Sequence, residues 1–166
     1  MLTELAQQCG AALHQRGLQV TTAESCTGGG IAEAITRIAG SSAWFGQGWV
    51  TYSNAAKSSQ LGVAPELIEA HGAVSEAVVS AMAEGARTRA GADWAIAVSG
   101  VAGPGGGSRD KPVGTVWLAW ASRLGTKTTC RLFAGDRREI REQTVALALT
   151  ELIKSLCGSE VVDPMP

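Results

Sequence analysis

Strand-like and helix-like segments alternate along this chain, and the alternation limits the folds that it can adopt. Residues 2–13 carry apolar side chains at helical spacing, whereas apolar and polar side chains alternate over residues 18–22. Strands separated by helices pair in parallel and need helices on both faces of their sheet. Two later strands, predicted at residues 113–121 and 126–133, follow each other directly and indicate a hairpin. The sequence therefore predicts an α/β fold, a three-layer α/β/α domain with a mixed β-sheet.

Length and charge limit the number of domains and the kinds of partner. With 166 residues the chain suits one domain, which we place at residues 1–158, followed by a frayed tail at residues 159–166. A net charge of −1 without a basic run argues against nucleic acid. No stretch reaches the roughly 20 apolar residues of a membrane span, and no export signal opens the chain. We expect a cytoplasmic protein with no nucleic-acid or membrane partner.

The cysteines and histidines of the chain are not spaced as metal ligands are. No C-x-x-C pair occurs among the four cysteines, and His14 and His71 stand alone. Free thiols and no bound metal are therefore expected in a protein that is not exported. Cys26 lies in a glycine-rich turn with other candidate residues, so a cysteine nucleophile is one hypothesis for this turn.

Lys57 lies where a cation is disfavoured. Asn54 is a good N-cap, which places Lys57 in the first turn of a helix. The positive end of the helix dipole costs a cation about 0.3–1 kcal/mol there, and apolar neighbours would lower the pKa of the amine further. Two interpretations follow: a general base, or a surface lysine whose stem reaches back to water.

A serine near Lys57 would complete a pair of nucleophile and base. A serine hydroxyl is inert until a base removes its proton, and in a chain this poor in histidine, lysine is the available base. Ser42 and Tyr52 lie in the preceding turn and strand, and Tyr52 could relay a proton or orient Lys57. Taken singly, each also fits a structural role, Ser42 as a helix cap and Tyr52 as a half-buried strand residue.

Two glycine-rich segments each follow a predicted strand. Residues 24–30 combine three glycines with the hydroxyls of Ser25 and Thr27, which favours an anion site. Glu24 lies at the carboxyl end of the strand, where open α/β sheets bind ligands. Close helix packing with a Thr27 cap is the alternative. Residues 100–107 match neither the dinucleotide fingerprint nor the P-loop, so a binding loop and a flexible connection fit them equally well.

Seven short motifs together resemble the CinA C-terminal domain family, and the resemblance extends over about residues 2–157. The motifs are TAESCTGG at 22–29, GSSAWF at 40–45, VTYSNAAK at 50–57, HGAVS at 71–75, SGVAGP at 99–104, KPVGTV at 111–116 and FAGDR at 133–137. Motifs of the N-terminal domain found in longer members do not occur, so the chain resembles the stand-alone form.

That resemblance implies an amidohydrolase that converts nicotinamide mononucleotide to nicotinate mononucleotide and ammonia, a step of pyridine-nucleotide salvage and NAD biosynthesis. It implies a Ser/Lys mechanism with no metal and no cofactor. Lys57 is then the base and Tyr52 its helper. Ser42 fits best as the nucleophile beside them, and Ser25 is the second candidate.

Substrate-binding residues are expected in the turn after the first strand, in the glycine loop and in the last helix: Glu24, Thr27, Gly28, Gly29, Ser99, Gly100, Gly103, Gly105, Arg137 and Arg141. Ser99 stands where the family often has threonine, and because the hydroxyl is retained we expect activity. A non-catalytic nucleotide-sensing module is the alternative function. Five tryptophans suggest a homo-oligomer joined through an aromatic patch, with burial in the core as the other interpretation.

Overall fold

The computed structural model describes residues 1–158, and the predicted tail at 159–166 lies outside the described residues. In chain order the strands are β1 (Val20–Glu24), β2 (Phe45–Val50), β3 (Trp94–Gly100), β4 (Thr115–Ser122) and β5 (Gly125–Leu132). The helices of the described residues are α1 (Leu2–Arg16), α2 (Gly30–Thr36), α3 (Asn54–Leu61), α4 (Pro65–His71), α5 (Glu76–Ala90) and α6 (Arg137–Gly158). A single 3₁₀ turn, Ser41–Ala43, precedes β2.

The strands form a mixed sheet, as predicted. Within the described residues its order is β2-β1-β3-β4-β5, with β1 parallel to both β2 and β3, and with β4 antiparallel to both β3 and β5. Strand β1 is buried along its whole length. Its predicted alternation of apolar and polar side chains therefore does not correspond to an exposed face, because a central parallel strand is covered on both sides.

The two faces of the sheet carry side chains of different size. Helices α1, α2 and α6 cover the face that presents Ile96 and Val98, together with larger residues of β4. Helices α3, α4 and α5 pack around the opposite face, where Ala95 and Ala97 let α5 approach the sheet closely. This arrangement confirms the three-layer α/β/α prediction and places one hydrophobic core on each side of the sheet.

Several helix ends follow directly from the sequence. Gly17 ends α1 in the left-handed conformation at φ 64°. The Ser75 hydroxyl accepts the Val78 N–H at the start of α5. Asp136 and Glu139 cap α6 reciprocally, with the Glu139 N–H donating to Asp136 Oδ1 at 2.9 Å and the Asp136 N–H to Glu139 Oε2 at 2.7 Å.

The segment that leads to Lys57 differs from its prediction. The sequence pattern predicts a strand over residues 49–53, but β2 ends at Val50. Ser53, and not Asn54, caps α3: its backbone is extended at φ −84° and ψ 158°, and its hydroxyl accepts the Ala56 N–H at 3.0 Å. Lys57 consequently lies one residue further into the helix than an Asn54 cap would place it.

The chain order of the parallel strands creates a crevice at one edge of the sheet. From β1 the chain passes to β2 on one side and then returns to β3 on the other side of β1. In open α/β sheets ligands bind at such a switch point, outside the carboxyl ends of the strands. The segments that follow β1, β2 and β3 all lie at this edge.

The five tryptophans of the chain are not exposed. Trp44 and Trp120 are buried, and Trp49, Trp94 and Trp117 are partly buried. The tryptophans therefore give no support to self-association, which stays a prediction. None of the helices in residues 1–158 combines the length and the apolar character needed to cross a bilayer.

Candidate active site

A cleft of about 280 Å³ opens where β1 and β3 end. The turn after β1 supplies Ser25, and the end of β3 supplies Ser99. Lys57 comes from α3, and Arg137 from the start of α6. The remaining wall is the glycine-rich loop that follows β3, including Gly100, Gly103, Gly105 and Gly106. The crevice predicted by the strand order is therefore lined by hydroxyl, amine and guanidinium groups.

Lys57 and Ser25 are in direct contact inside this cleft. Lys57 Nζ lies 3.0 Å from Ser25 Oγ, 2.9 Å from the Thr51 carbonyl oxygen and 3.2 Å from the Tyr52 carbonyl oxygen. Because helical side chains point towards the helix N-terminus, Lys57 reaches back from α3 over the segment that leaves β2. The same edge of the sheet carries Ser25, whose N–H donates to the Val98 carbonyl at 3.1 Å.

The surroundings of Lys57 favour its neutral amine. The residue is 1% exposed, and burial lowers the pKa of its amine. A negative charge on the nearby Cys26 sulfur acts in the opposite direction and raises this pKa. Two of its three neighbours are carbonyls, which can only accept a hydrogen bond. In the structure Nζ donates to Ser25 Oγ; once the amine is neutral, its two hydrogens can serve these carbonyls while its lone pair accepts the Ser25 hydroxyl proton. The geometry therefore suits a lysine that acts as a general base towards serine.

Ser42 lies far from Lys57. It is exposed in the 3₁₀ turn before β2, and that strand begins where Phe45 pairs with Val20, at the start of β1. Ser25 follows the other end of β1, so the length of this strand, about 16 Å at ~3.3 Å per residue, separates the two serines. This placement corrects the expectation that Ser42 fits best beside Lys57: Ser25 is the serine within hydrogen-bond distance.

Tyr52 lines the cleft without contacting Lys57 through its phenol. Its side chain is 60% exposed, and its hydroxyl accepts a hydrogen bond from Arg137 Nη2 at 3.0 Å. Only its backbone carbonyl contacts Lys57 Nζ. A proton relay through the phenol is therefore not formed, and the half-buried strand position predicted for Tyr52 is also wrong, because β2 ends before it.

The turn after β1 is organised around Glu24 and is not an open anion site. Glu24 is fully buried, and its Oε1 accepts the Thr27 hydroxyl at 2.6 Å and the Ile31 N–H at 2.7 Å. Its Oε2 accepts the Ala32 N–H at 3.1 Å. The N–H groups of Gly28 and Gly30 donate to the carbonyls of Ser25 and Thr27, and the protein's own carboxylate binds the next two amides. These contacts correct the substrate-binding assignments of Glu24 and Thr27.

Three further assignments also fall outside the cleft. The described residues that line it do not include Gly28, Gly29 or Arg141. Arg141 instead donates from Nε to the Cys26 carbonyl at 3.1 Å and from Nη2 to the Thr27 carbonyl at 3.1 Å. Arg137 differs from Arg141, because it lines the cleft and donates to the Gly103 carbonyl at 2.7 Å.

Some cleft residues were not assigned from the sequence. Asn54 was expected only to cap a helix, and Ala73 and Val74 only marked a family motif, yet all three line the cleft. Gly72, which has φ 76°, turns the chain after α4 and brings Ala73 and Val74 to this wall. The signal available in the sequence was Gly72, a glycine that ends a helix directly before these two residues.

Cys26 also lines the cleft but is poorly suited to attack. Its side chain belongs to the hydrophobic core beneath α2 and α6, and burial raises the pKa of its thiol to about 11. A thiol protonated at neutral pH is a weak nucleophile. Among residues 1–158 no group of three or more His, Cys, Asp or Glu side chains is placed to hold a metal ion.

Comparison with known proteins gives relatives that span the described fold. The family model of the CinA C-terminal domain matches residues 2–156. The nicotinamide-nucleotide amidohydrolase PncC of Pseudomonas putida is 58% identical over 153 residues, which cover 92% of this chain and 96% of the relative. The protein of the same name from Escherichia coli (strain K12) is 57% identical over 152 residues, covering 91% of this chain and 92% of the relative.

A solved structure has the same fold. The crystal structure of a competence-damaged protein (CinA) superfamily protein from Klebsiella pneumoniae superposes with a TM-score of 0.92 at 44% sequence identity, covering 95% of this chain and 99% of that chain. Three findings agree: the mixed sheet, the family-model match across nearly all described residues, and the sequence identities to these relatives. The chain belongs to the CinA C-terminal domain family.

Proposed function

We propose that this protein is an amidohydrolase that converts nicotinamide mononucleotide to nicotinate mononucleotide and ammonia. The observation that carries the proposal is the 3.0 Å contact between Lys57 Nζ and Ser25 Oγ in a cleft at the carboxyl ends of β1 and β3. The names of the PncC relatives indicate the substrate class, a nicotinamide nucleotide.

The first half of the reaction forms an acyl-enzyme. The neutral Lys57 amine takes the Ser25 proton as Oγ attacks the carboxamide carbon, which gives a tetrahedral intermediate. The Lys57 ammonium then returns this proton to the departing nitrogen. The C–N bond breaks, ammonia leaves, and the former carboxamide carbon is now joined to Ser25 Oγ as an ester.

The second half repeats the same proton transfers with water. Lys57 takes a proton from the water as its oxygen attacks the ester carbon. Collapse of the second intermediate breaks the C–O bond, and Lys57 returns the proton to Ser25 Oγ. The products are nicotinate mononucleotide and ammonia, and both side chains are restored to their starting states.

The walls of the cleft provide groups for the rest of the substrate. A backbone N–H group of the glycine-rich loop or of the turn at Cys26, both of which line the cleft, is proposed to hold the oxyanion, an interaction worth about 3–4 kcal/mol in amide-bond hydrolases. Arg137 is the guanidinium of the cleft and is proposed to bind the phosphate. Ser99 and Asn54 add a hydroxyl and an amide that can orient the substrate.

The proposal is tested by incubating the purified protein with nicotinamide mononucleotide in the presence of a chelator. Ammonia and nicotinate mononucleotide are measured, and Ser25→Ala protein serves as the control. Release of both products in equal amounts by the wild type alone supports the amidohydrolase. Binding of the nucleotide with no ammonia released would contradict it and would favour the non-catalytic nucleotide-sensing module.

A further inference from the structure

We propose that Glu24 and Arg141 are positioning residues that together fix the turn carrying Ser25 Oγ for attack. The inference rests on the proposed function, because it concerns the nucleophile of that reaction. Neither side chain touches the cleft, and both were expected from the sequence to bind substrate. Their contacts assign them instead to the two sides of residues 25–29, the turn between β1 and α2.

Glu24 fixes the turn by accepting hydrogen bonds from the Thr27 hydroxyl and from two amides at the start of α2. The carboxylate lies at the end of β1 and binds the N–H groups of Ile31 and Ala32 at 2.7 Å and 3.1 Å. It also accepts the Thr27 hydroxyl. The turn is therefore closed on itself, since the residue before Ser25 binds the helix that follows Ser25. The N-terminal dipole of α2 compensates the buried negative charge.

Arg141 fixes the same turn by donating hydrogen bonds to two of the turn's backbone carbonyls. Its guanidinium reaches from α6 and donates to the carbonyls of Cys26 and Thr27, both at 3.1 Å. These are the two residues that follow Ser25. Unlike Arg137, Arg141 does not line the cleft, so the geometry favours a role on the turn over a role on the substrate.

The turn needs this support because two of its residues are glycines. Gly28 and Gly29 have φ of 58° and 101°, values that glycine adopts readily, so these residues lose much conformational freedom when the turn is ordered. Ser25 Oγ must stay within reach of both Lys57 and the substrate carbon. A displacement of about 1 Å in such a group can reduce the rate by about 100-fold.

The decisive variant is Arg141→Ala, with Arg138→Ala as its matched control. Arg138→Ala removes the same charge from the same turn of α6, but the Arg138 side chain is 84% exposed and forms an ion pair with Glu142. For Arg141→Ala we expect kcat to fall by about 10- to 100-fold while KM changes by less than about twofold. Arg138→Ala should leave both constants near those of the wild type.

Two further measurements separate positioning from a merely structural role. Added ethylguanidinium should restore part of the kcat of Arg141→Ala by occupying the vacated site, and should not affect the wild type. The rate at which a fluorophosphonate labels Ser25, forming an Oγ–P bond as fluoride leaves, should fall in Arg141→Ala. Mass spectrometry of the labelled peptide measures this rate without the nucleotide.

Glu24→Gln tests the opposite side of the turn. The glutamine has one acceptor oxygen for three donors, and its NH₂ would face a backbone N–H, so kcat and the labelling rate should again fall together at unchanged KM. If these variants do not fold, Arg141→Lys supplies the test, because a lysine cannot bridge two carbonyls as the guanidinium does.

The outcomes are distinguishable from failure of the proposed function. A wild type that is labelled at Ser25 but releases no ammonia contradicts the amidohydrolase, and the labelling rates still decide the positioning roles. A raised KM with unchanged kcat in Arg141→Ala would overturn the inference and make Arg141 a substrate ligand. Unchanged labelling of Ser25 in both Arg141→Ala and Glu24→Gln would overturn it as well.

Discussion

Lys57 Nζ and Ser25 Oγ are 3.0 Å apart although 32 residues separate them in the chain. Two parallel strands bring them together: Ser25 follows β1, and Lys57 lies just beyond the end of the neighbouring β2. No carboxylate lies against the amine within the described contacts of Lys57, whose other partners are the carbonyls of Thr51 and Tyr52. The pair is therefore arranged for proton transfer and not for an ion pair.

Removal of the Lys57 amine should abolish turnover. We expect Lys57→Ala, and equally Lys57→Arg, to lower kcat by at least about 1,000-fold, because neither side chain can accept the Ser25 proton at neutral pH. Ammonia release measures the rate, and circular dichroism verifies that the variants fold. Lys154→Ala, at an exposed position, is the control. Retained turnover in Lys57→Ala would exclude the Ser/Lys mechanism.

The two candidate serines are separated by a pair of alanine variants. Ser25→Ala should lose turnover by at least about 1,000-fold, because the nucleophilic oxygen is removed. Ser42→Ala should retain the turnover of the wild type, because this serine lies at the other end of β1 from Lys57. Steady-state assays of both proteins provide the comparison. Loss of turnover in Ser42→Ala with activity kept in Ser25→Ala would reverse the assignment.

Activity should rise with pH through the ionisation of Lys57. Burial lowers the pKa of this amine below its ordinary value of about 10.4, so the neutral base is scarce at low pH and accumulates as pH increases through the lowered value. A profile of kcat/KM against pH should therefore show one ascending limb below about pH 10.4. A rate that falls as pH rises across this range would contradict a neutral lysine base.

Cys26 should be dispensable for the chemistry. Its thiol remains protonated at neutral pH because burial raises its pKa to about 11. We expect Cys26→Ala to retain kcat within about threefold, and to show the same ascending pH limb as the wild type. Complete inactivation of the folded Cys26→Ala protein would instead support a cysteine hydrolase.

One glycine of α5 is expected to be essential for packing. A Cβ added at Gly85 would collide with the carbonyl oxygen of Leu61 at the end of α3, and backbone cannot move aside cheaply. Gly85→Ala should lower the free energy of unfolding by about 1–3 kcal/mol in urea denaturation. Gly46→Ala is the control, since the nearest atom to an added Cβ there is 3.9 Å away. Equal stabilities of the two variants would contradict this packing.

Periodicity was sufficient to predict the layers of the fold. In the last helix, the apolar residues that recur at helical spacing form the buried face: Val145, Leu149, Leu152 and Leu156. Helix boundaries that were predicted from a single capping residue were less accurate than the layers. Ser53 and Asn54 are both good caps, and only the extended backbone of Ser53 decides between them. The predicted family is confirmed by the match to the CinA C-terminal domain.

The site was predicted in part. Lys57 with a serine was identified from residue types, but the choice between Ser25 and Ser42 depends on which end of β1 each serine follows, and this requires the strand pairing. Charge alone could not assign Glu24 and Arg141 either. Both are typical of anion or substrate sites by residue type, yet their partners are backbone groups that no sequence pattern specifies.

The contact from α6 to the nucleophile turn has a consequence for biosynthesis. Arg141 binds the carbonyl of Cys26 across 115 positions of sequence, and the helix that carries it is the last element of the described chain. A ribosome must therefore release nearly the whole domain before this contact can form. A nascent or truncated chain that lacks α6 lacks this contact altogether, so the turn that carries Ser25 is held from this side only after residue 141 has been made.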